Sequence, residues 1–255
     1  MSFAKPAVPS FIPQAETSNE YKVITNLEER EVIKRRAIEM VEAARDCEMV
    51  VFLDKTARPL STLFTNLWPE LHPDQPPPAI RFVNIGDEKR EVLEDFHFDK
   101  FGYTPTNYSE SLLRLLETKG DLVNIFGEDN VDNLESIVTM IGHGQRLIVD
   151  EMKASGFTVG LTDRILRILD GRSFNRYFIF FENNEDQNPF FEEEESPCGS
   201  HTTLVQDQSK KSFVSAVDRR EELRQQGSVV RRDFKILAQE AIKDYAPNNR
   251  HPTTS

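Results

Sequence analysis

Apolar positions along the 255-residue chain fall into two patterns: short unbroken runs, and longer stretches striped at helical spacing. Met49, Val50, Val51, Phe52 and Leu53 form one unbroken run, the pattern of a strand buried on both faces of a parallel sheet. Residues 79–84 (AIRFVN), 146–149 (RLIV) and 176–181 (RYFIFF) read as three further strands. Ahead of the first strand, Ile33, Ala37, Met40, Val41 and Ala44 share one helical face. Thr25 and Glu28 have the spacing of a capping box, which predicts a helix beginning near Thr25. After the strand, Pro59 suits a first helical turn, and Leu60, Leu63, Phe64 and Leu67 give the next stripe. A helix over residues 158–170 carries Leu161, Ile165, Ile168 and Leu169, with Gly171 placed to end it. A last helix over 229–245 aligns Val230, Phe234, Leu237, Ala241 and Tyr245.

Between the second and third strands the pattern is weaker. Ser109 is placed to cap a helix containing Leu112, Leu113, Leu115 and Leu116, and residues 132–141 form another with Leu134, Ile137, Val138 and Ile141 inward. Residues 87–106 are charged and aromatic without a clean period. Strands alternating with helices predict an α/β fold built on a doubly wound parallel sheet. The expected layout is an extended Pro-rich arm over 1–20, an α/β domain over 21–181 with an insertion at 86–144, and an acidic loop with a helical extension over 182–255. Ligands on such sheets sit at the carboxyl ends of the strands, so the loops at 54–58 and 150–158 are expected to face one cleft.

Charge narrows the ligand classes. A formal net charge of −12 argues against sequence-independent nucleic-acid binding, which needs a basic surface. It leaves open a small anion, for which a local pocket of backbone N–H groups and a few cations suffices. Cys47 and Cys198 have neither metal-ligand spacing nor a disulfide framework. The first fourteen residues are broken by three prolines, unlike a secretory signal. No run approaches the ~20 apolar residues of a membrane span. The expected setting is cytoplasmic, with no membrane partner.

The most specific chemistry lies in RLIVDEMKASGFT, residues 146–158. An apolar strand delivers Asp150 and Glu151 to the sheet edge, and Ala154, Ser155, Gly156, Phe157 and Thr158 then lead into a helix. Small residues let successive N–H groups curl around one anion, the hydroxyls of Ser155 and Thr158 add donors, and the helix N-terminus adds partial positive charge. The acids are poor phosphate ligands but good acceptors for neighbouring hydroxyls, such as those of a ribose. A plain strand-to-helix turn would also use Asp and Ser as turn and cap residues.

This pattern resembles the 5-phosphoribosyl 1-pyrophosphate (PRPP) signature of type I phosphoribosyltransferases: an apolar strand, two acids, three variable residues, Thr or Ser, Gly, a variable residue and Thr. Asp150, Glu151, Ser155, Gly156 and Thr158 complete the match, and element order is similar from residue 50 to 181. The resemblance implies that Asp150 and Glu151 hold ribose hydroxyls while residues 154–158 hold the 5′-phosphate. It also implies that the loop after the first core strand receives pyrophosphate. There Lys55 and Arg58 would neutralise the diphosphate as catalytic groups, with Mg²⁺ sharing the task. The ligand would be PRPP or a nucleoside 5′-monophosphate, and a homodimer is common among such proteins, although no interface is legible here. The chain departs from the family at Glu151, where a second Asp is commoner, and at Ala154, where relatives acting on 6-oxopurines carry an acid. It departs again at Phe157, whose ring must turn into the core, and in a pyrophosphate loop without glycine. These departures keep a second expectation in view, a non-catalytic phosphoribosyl-binding module, and a third, an α/β interaction protein. Both acids are expected at an exposed strand end, where neutralising them spares the fold.

Overall fold

The apolar run around Val50 becomes β1 (Cys47–Leu53), paired on both sides by parallel neighbours. The structure is a computed structural model that describes residues 21–53, 57–85, 87–103, 108–139, 144–152, 157–171, 175–181, 213 and 221–249. With β2 (Ala79–Val83), β3 (Gln145–Met152) and β4 (Asn175–Phe181), β1 forms a four-stranded all-parallel sheet in the order β2-β1-β3-β4. The helices are α1 (Leu27–Ala43), α2 (Leu60–Leu71), α3 (Asp87–Phe101), α4 (Tyr108–Leu113), α5 (Lys119–Phe126), α6 (Glu128–Thr139), α7 (Phe157–Asp170) and α8 (Glu221–Asn249). None of the described helices is long and apolar enough to cross a membrane.

Strand alternation splits the core into two layers. Val50 and Phe52 of β1, Leu147 and Val149 of β3, and Phe178 and Phe180 of β4 pack with α1, α2 and α8. Met49, Val51 and Leu53 of β1 and Ile148 of β3 face α3 to α7 instead. The split follows from connectivity. From β1 the chain steps to β2 on one side, then crosses back over β1 to β3 and continues to β4. Crossovers between parallel strands are right-handed almost without exception, so reversing direction sends the connecting helices to the opposite face. The helix α2 accordingly lies on one side of the sheet, and α3 to α7 on the other. The α/β sheet with helices on both faces is the architecture that the alternation of elements predicts.

Several local expectations change. The N-cap of α1 is Asn26, whose side chain accepts from the Glu28 N–H at 2.9 Å, rather than Thr25. Ser109 lies inside α4, and Leu115 and Leu116 follow its end, because the helix already begins at Tyr108. Residues 87–101, without a period in the sequence, form the helix α3. Its fully enclosed positions include Lys89 beside Leu93, and His97 is buried too, so polarity and burial do not coincide there. A capping box between Thr118 and Asp121 opens α5, which pattern alone did not reveal. The helix α6 starts at Glu128, four residues earlier than expected, and buries Val131 as well as Leu134. Gly171 ends α7 at φ +68°, a conformation that favours glycine, with its N–H donating to the Arg167 carbonyl at 2.8 Å.

The helical extension after residue 182 packs into the main core. Val230, Phe234, Leu237, Ala238 and Ala241 of α8 join the layer formed by α1 and α2. Asp233, fully buried on α8, accepts the backbone N–H groups of Lys22, Val23 and Ile24 through one carboxylate oxygen at 3.0, 2.8 and 3.2 Å. That clasp joins the two ends of the described chain. At the other margin, Arg36 of α1 donates to the carbonyls of Ile179 and Phe180 and stacks 4.6 Å over the Phe178 ring, covering the edge strand β4. Replacing Asp233 with alanine leaves three N–H groups without their acceptor. Stability should fall by about 2–4 kcal/mol, read as an earlier urea midpoint with an unchanged slope. A midpoint within error of the parent would show that the clasp contributes nothing.

Candidate functional site

The strand order 2-1-3-4 places a topological switch between β1 and β3, where the chain leaves neighbouring strand ends in opposite directions. Such a switch opens a crevice at the carboxyl edge. Phe52 pairs with Val149, so Asp150 stands level with Leu53, the last residue of β1. The segments that follow β1 and β3, carrying the two expected ligand loops, therefore depart from adjacent strand ends. Lys55 of the first and Ala154, Ser155 and Gly156 of the second lie outside the described residues.

The strand β3 extends through Met152, with Asp150 opposite Ile179 and Met152 opposite Phe181. Asp150 and Glu151 are thus strand residues flanked by paired neighbours. Contrary to the expectation of an exposed strand end, they are only 7% and 2% exposed. Alternation puts Asp150 on the face of Ile148, toward α7, and Glu151 on the face of Val149, toward α1, α2 and α8. The Glu151 N–H donates to Asp150 Oδ1 at 2.8 Å. Burial pushes the Asp150 carboxyl up to about 6, and this hydrogen bond offsets only part of that rise. A group poised there is uncharged part of the time near neutrality. Donors such as sugar hydroxyls, or a nearby cation, would draw the proton off.

Phe157 and Thr158 open α7 as its first two residues. The Phe157 ring is buried with Leu161, Ile165 and Leu166, so the space before the helix is not occupied by it and only its backbone N–H can face an anion. Thr158 is half-buried, and its carbonyl accepts from Thr162 Oγ1 at 2.7 Å. Arg58 lies with its guanidinium carbon 4.2 Å over the ring of Phe82, on the α2 side of β2. Two cations that sequence did not single out occur at the start of α3. Arg90 reaches to 5.9 Å from the Phe157 ring centroid, and Lys89 is fully enclosed with Nζ 5.5 Å from the Phe213 centroid. Their segment carries no periodic signal, which is why they escaped notice.

Among the described residues no group of three or more His, Cys, Asp and Glu side chains is arranged to hold a metal ion. Asp150 and Glu151, on opposite faces, cannot close on one ion as a pair.

The chain matches no protein-family model and no curated protein sequence.

The raised Asp150 carboxyl has a definite consequence for stability. Between about pH 4 and 6 the folded chain keeps a proton that the unfolded chain has lost, so stability falls as pH rises through that window. Above it the full cost applies, up to roughly 3 kcal/mol. Asp150→Asn, which retains the oxygen facing the Glu151 N–H, should therefore stabilise the ligand-free protein by about 1–2 kcal/mol at pH 7.5. The gain should vanish near pH 4. Urea unfolding at the two pH values measures both, and a variant less stable than the parent at pH 7.5 would show the carboxylate to be a structural acceptor.

Proposed function

We propose that the chain is a type I phosphoribosyltransferase-like protein. It binds PRPP or a nucleoside 5′-monophosphate at the carboxyl edge of the sheet and moves the 5-phosphoribosyl group to or from a nitrogenous base. The observation that carries this reading is the adjacent pair Asp150 and Glu151. Both are nearly enclosed, and they sit at the switch point eight and seven residues ahead of Thr158, the last of the positions that would hold a phosphate, with Phe157 opening α7. Asp150, on the α7 face and held by the Glu151 N–H, suits acceptance of the hydroxyl donors that a ribose supplies at its 2′ and 3′ positions.

In the forward direction the bond from ribose C1 to the diphosphate oxygen breaks, a bond from C1 to the base nitrogen forms, and diphosphate leaves. Little covalent work falls to the protein. Asp150 would fix the sugar, with Glu151 next to it holding its orientation through the backbone N–H, and the N–H groups at the start of α7 would hold the 5′-phosphate. Cations beside the β1 end would favour charge accumulating on the departing diphosphate. Mg²⁺ carried by the diphosphate supplies further neutralisation when bound. Of the two cations expected in that role, Lys55 lies outside the described residues, while Arg58 is stacked on Phe82. That stacking favours a second reading, a module that binds phosphoribosyl compounds without turnover.

The two readings separate by product. Purified protein supplied with PRPP, Mg²⁺ and a panel of bases should release pyrophosphate with at least one base. PRPP binding without any release supports the binding module. PRPP should also raise the melting temperature, as any ligand selective for the folded state does. The variant Asp150→Asn should lose roughly tenfold in PRPP affinity, the worth of a charge-assisted hydrogen bond. Unchanged affinity in calorimetry removes the ribose-holding role.

A further inference from the structure

Three aromatic side chains stand open where α3 ends: Phe98 is 57% exposed, Phe101 46% and Tyr103 58%. Phe98 and Phe101 are neighbours at i,i+3 on the helix, and the rings of Phe101 and Tyr103 lie 6.3 Å apart. The patch is braced from beneath. Gly102 adopts φ +74° and its N–H donates to the Phe98 carbonyl at 2.7 Å, which turns the chain back onto the helix. Buried His97 then donates through Nδ1 to the Tyr103 carbonyl at 3.0 Å. Its ring lies 4.7 Å from that of Phe101 and 5.4 Å from that of Tyr103. Rings held in this way lose little freedom when something settles on them.

The size of the patch argues against a second copy of the chain as its occupant. About half of each ring's ~200 Å² is open, roughly 300 Å² in all. A stable dimer covers about 800 Å² on each partner. A short segment fits the smaller area, and aromatic rings with acids beside them suit a proline-rich segment that carries a cation. The acids are Asp95 and Asp99, both exposed and one helical turn apart, on either side of Phe98 in the helix. Lys100 lies 5.4 Å over the Phe101 ring and already serves it as a cation, which leaves the two aspartates to an incoming one.

The chain contains a segment of this chemistry. Residues 1–14, outside the described residues, include Pro6, Pro9 and Pro13, with Lys5 directly before Pro6 and no acid. Prolines three apart share one face of a polyproline II helix. Reach is sufficient. The described chain begins at Tyr21, and the three residues after it are clasped by Asp233 of α8. Pro6 stands fifteen residues ahead of Tyr21, about 45 Å of polyproline II chain. Helix layers on the two faces of one sheet are only about 20 Å apart.

We propose that Phe98, Phe101 and Tyr103 form a docking site for the proline-rich arm of the same chain, with Pro6 and Pro9 against the rings and Lys5 beside Asp95 and Asp99. Tethering gives the arm an effective concentration of about 1 mM, so an affinity of only ~0.1 mM keeps the patch about nine-tenths occupied. The proposal is independent of the phosphoribosyl reading.

A fluorescently labelled peptide of residues 1–16 tests it by anisotropy titration into three full chains. These are the parent, an arm variant carrying Lys5→Glu, Pro6→Ala and Pro9→Ala, and the arm variant with Phe98→Ser and Tyr103→Ser added. The last two substitutions fall on side chains more than half exposed, and an unchanged melting temperature checks that the fold is spared. The peptide should bind the arm variant about tenfold more tightly than the parent, whose own arm competes for the patch. It should lose measurable binding to the chain with the altered patch. Equal affinity for the parent and the arm variant would overturn intramolecular docking. Affinity indifferent to the patch substitutions, or absent from every chain, would overturn the patch as the site. Light scattering should give the parent the same mass with and without Phe98→Ser and Tyr103→Ser, and a dimer that those substitutions dissociate would assign the patch to a second copy and sink the proposal.

Discussion

A parallel sheet whose chain begins on an inner strand must reverse direction once, and the right-handedness of crossovers turns that reversal into a change of face. In this protein the reversal falls between β1 and β3. It distributes α2 and the longer β2-to-β3 connection to opposite layers, and α1 and α8 complete the layer of α2. It also leaves the carboxyl ends of β1 and β3 side by side with diverging exits. Asp150, Asn84 and the start of α7 all come to this edge through that one constraint.

The polar groups at this edge run against the stability of the fold. Asp150 is held in surroundings that disfavour its charge, and the Asn84 amide is enclosed without partners among the described residues. Elsewhere several buried polar groups meet partners within the fold. Asp233 accepts three N–H groups, Lys34 pairs with Glu31 and Asp244, and Arg146 on β3 pairs with Asp170 at the end of α7.

Legibility in the sequence followed the match between polarity and burial. The run around Val50 is apolar throughout and the buried positions of α7 are apolar apart from Thr162, and both elements were readable at once. In α3 the inward side contains Lys89 and His97 while Phe98 and Phe101 are exposed, so no period survives. That obscured helix also carries Lys89 and Arg90, the latter 5.9 Å from the Phe157 ring centroid, and the candidate site was accordingly only half visible. The acids Asp150 and Glu151 were legible as a pair, but their burial was not. Burial depends on β4, more than twenty residues further along, which pairs with β3 up to Met152. The role of Asp233 was hidden for the same reason, its partners lying over 200 residues away.

The central claim is that the enclosed carboxylates of β3 wait for a sugar phosphate. Its most direct test is a ¹³C NMR titration of the Asp150 side-chain carboxyl, with and without saturating ribose 5-phosphate. The account predicts a midpoint near 6 in the free protein, displaced clearly downward once hydroxyl donors engage the carboxylate. A titration curve that is the same in both conditions, with the ligand demonstrably bound, would contradict it.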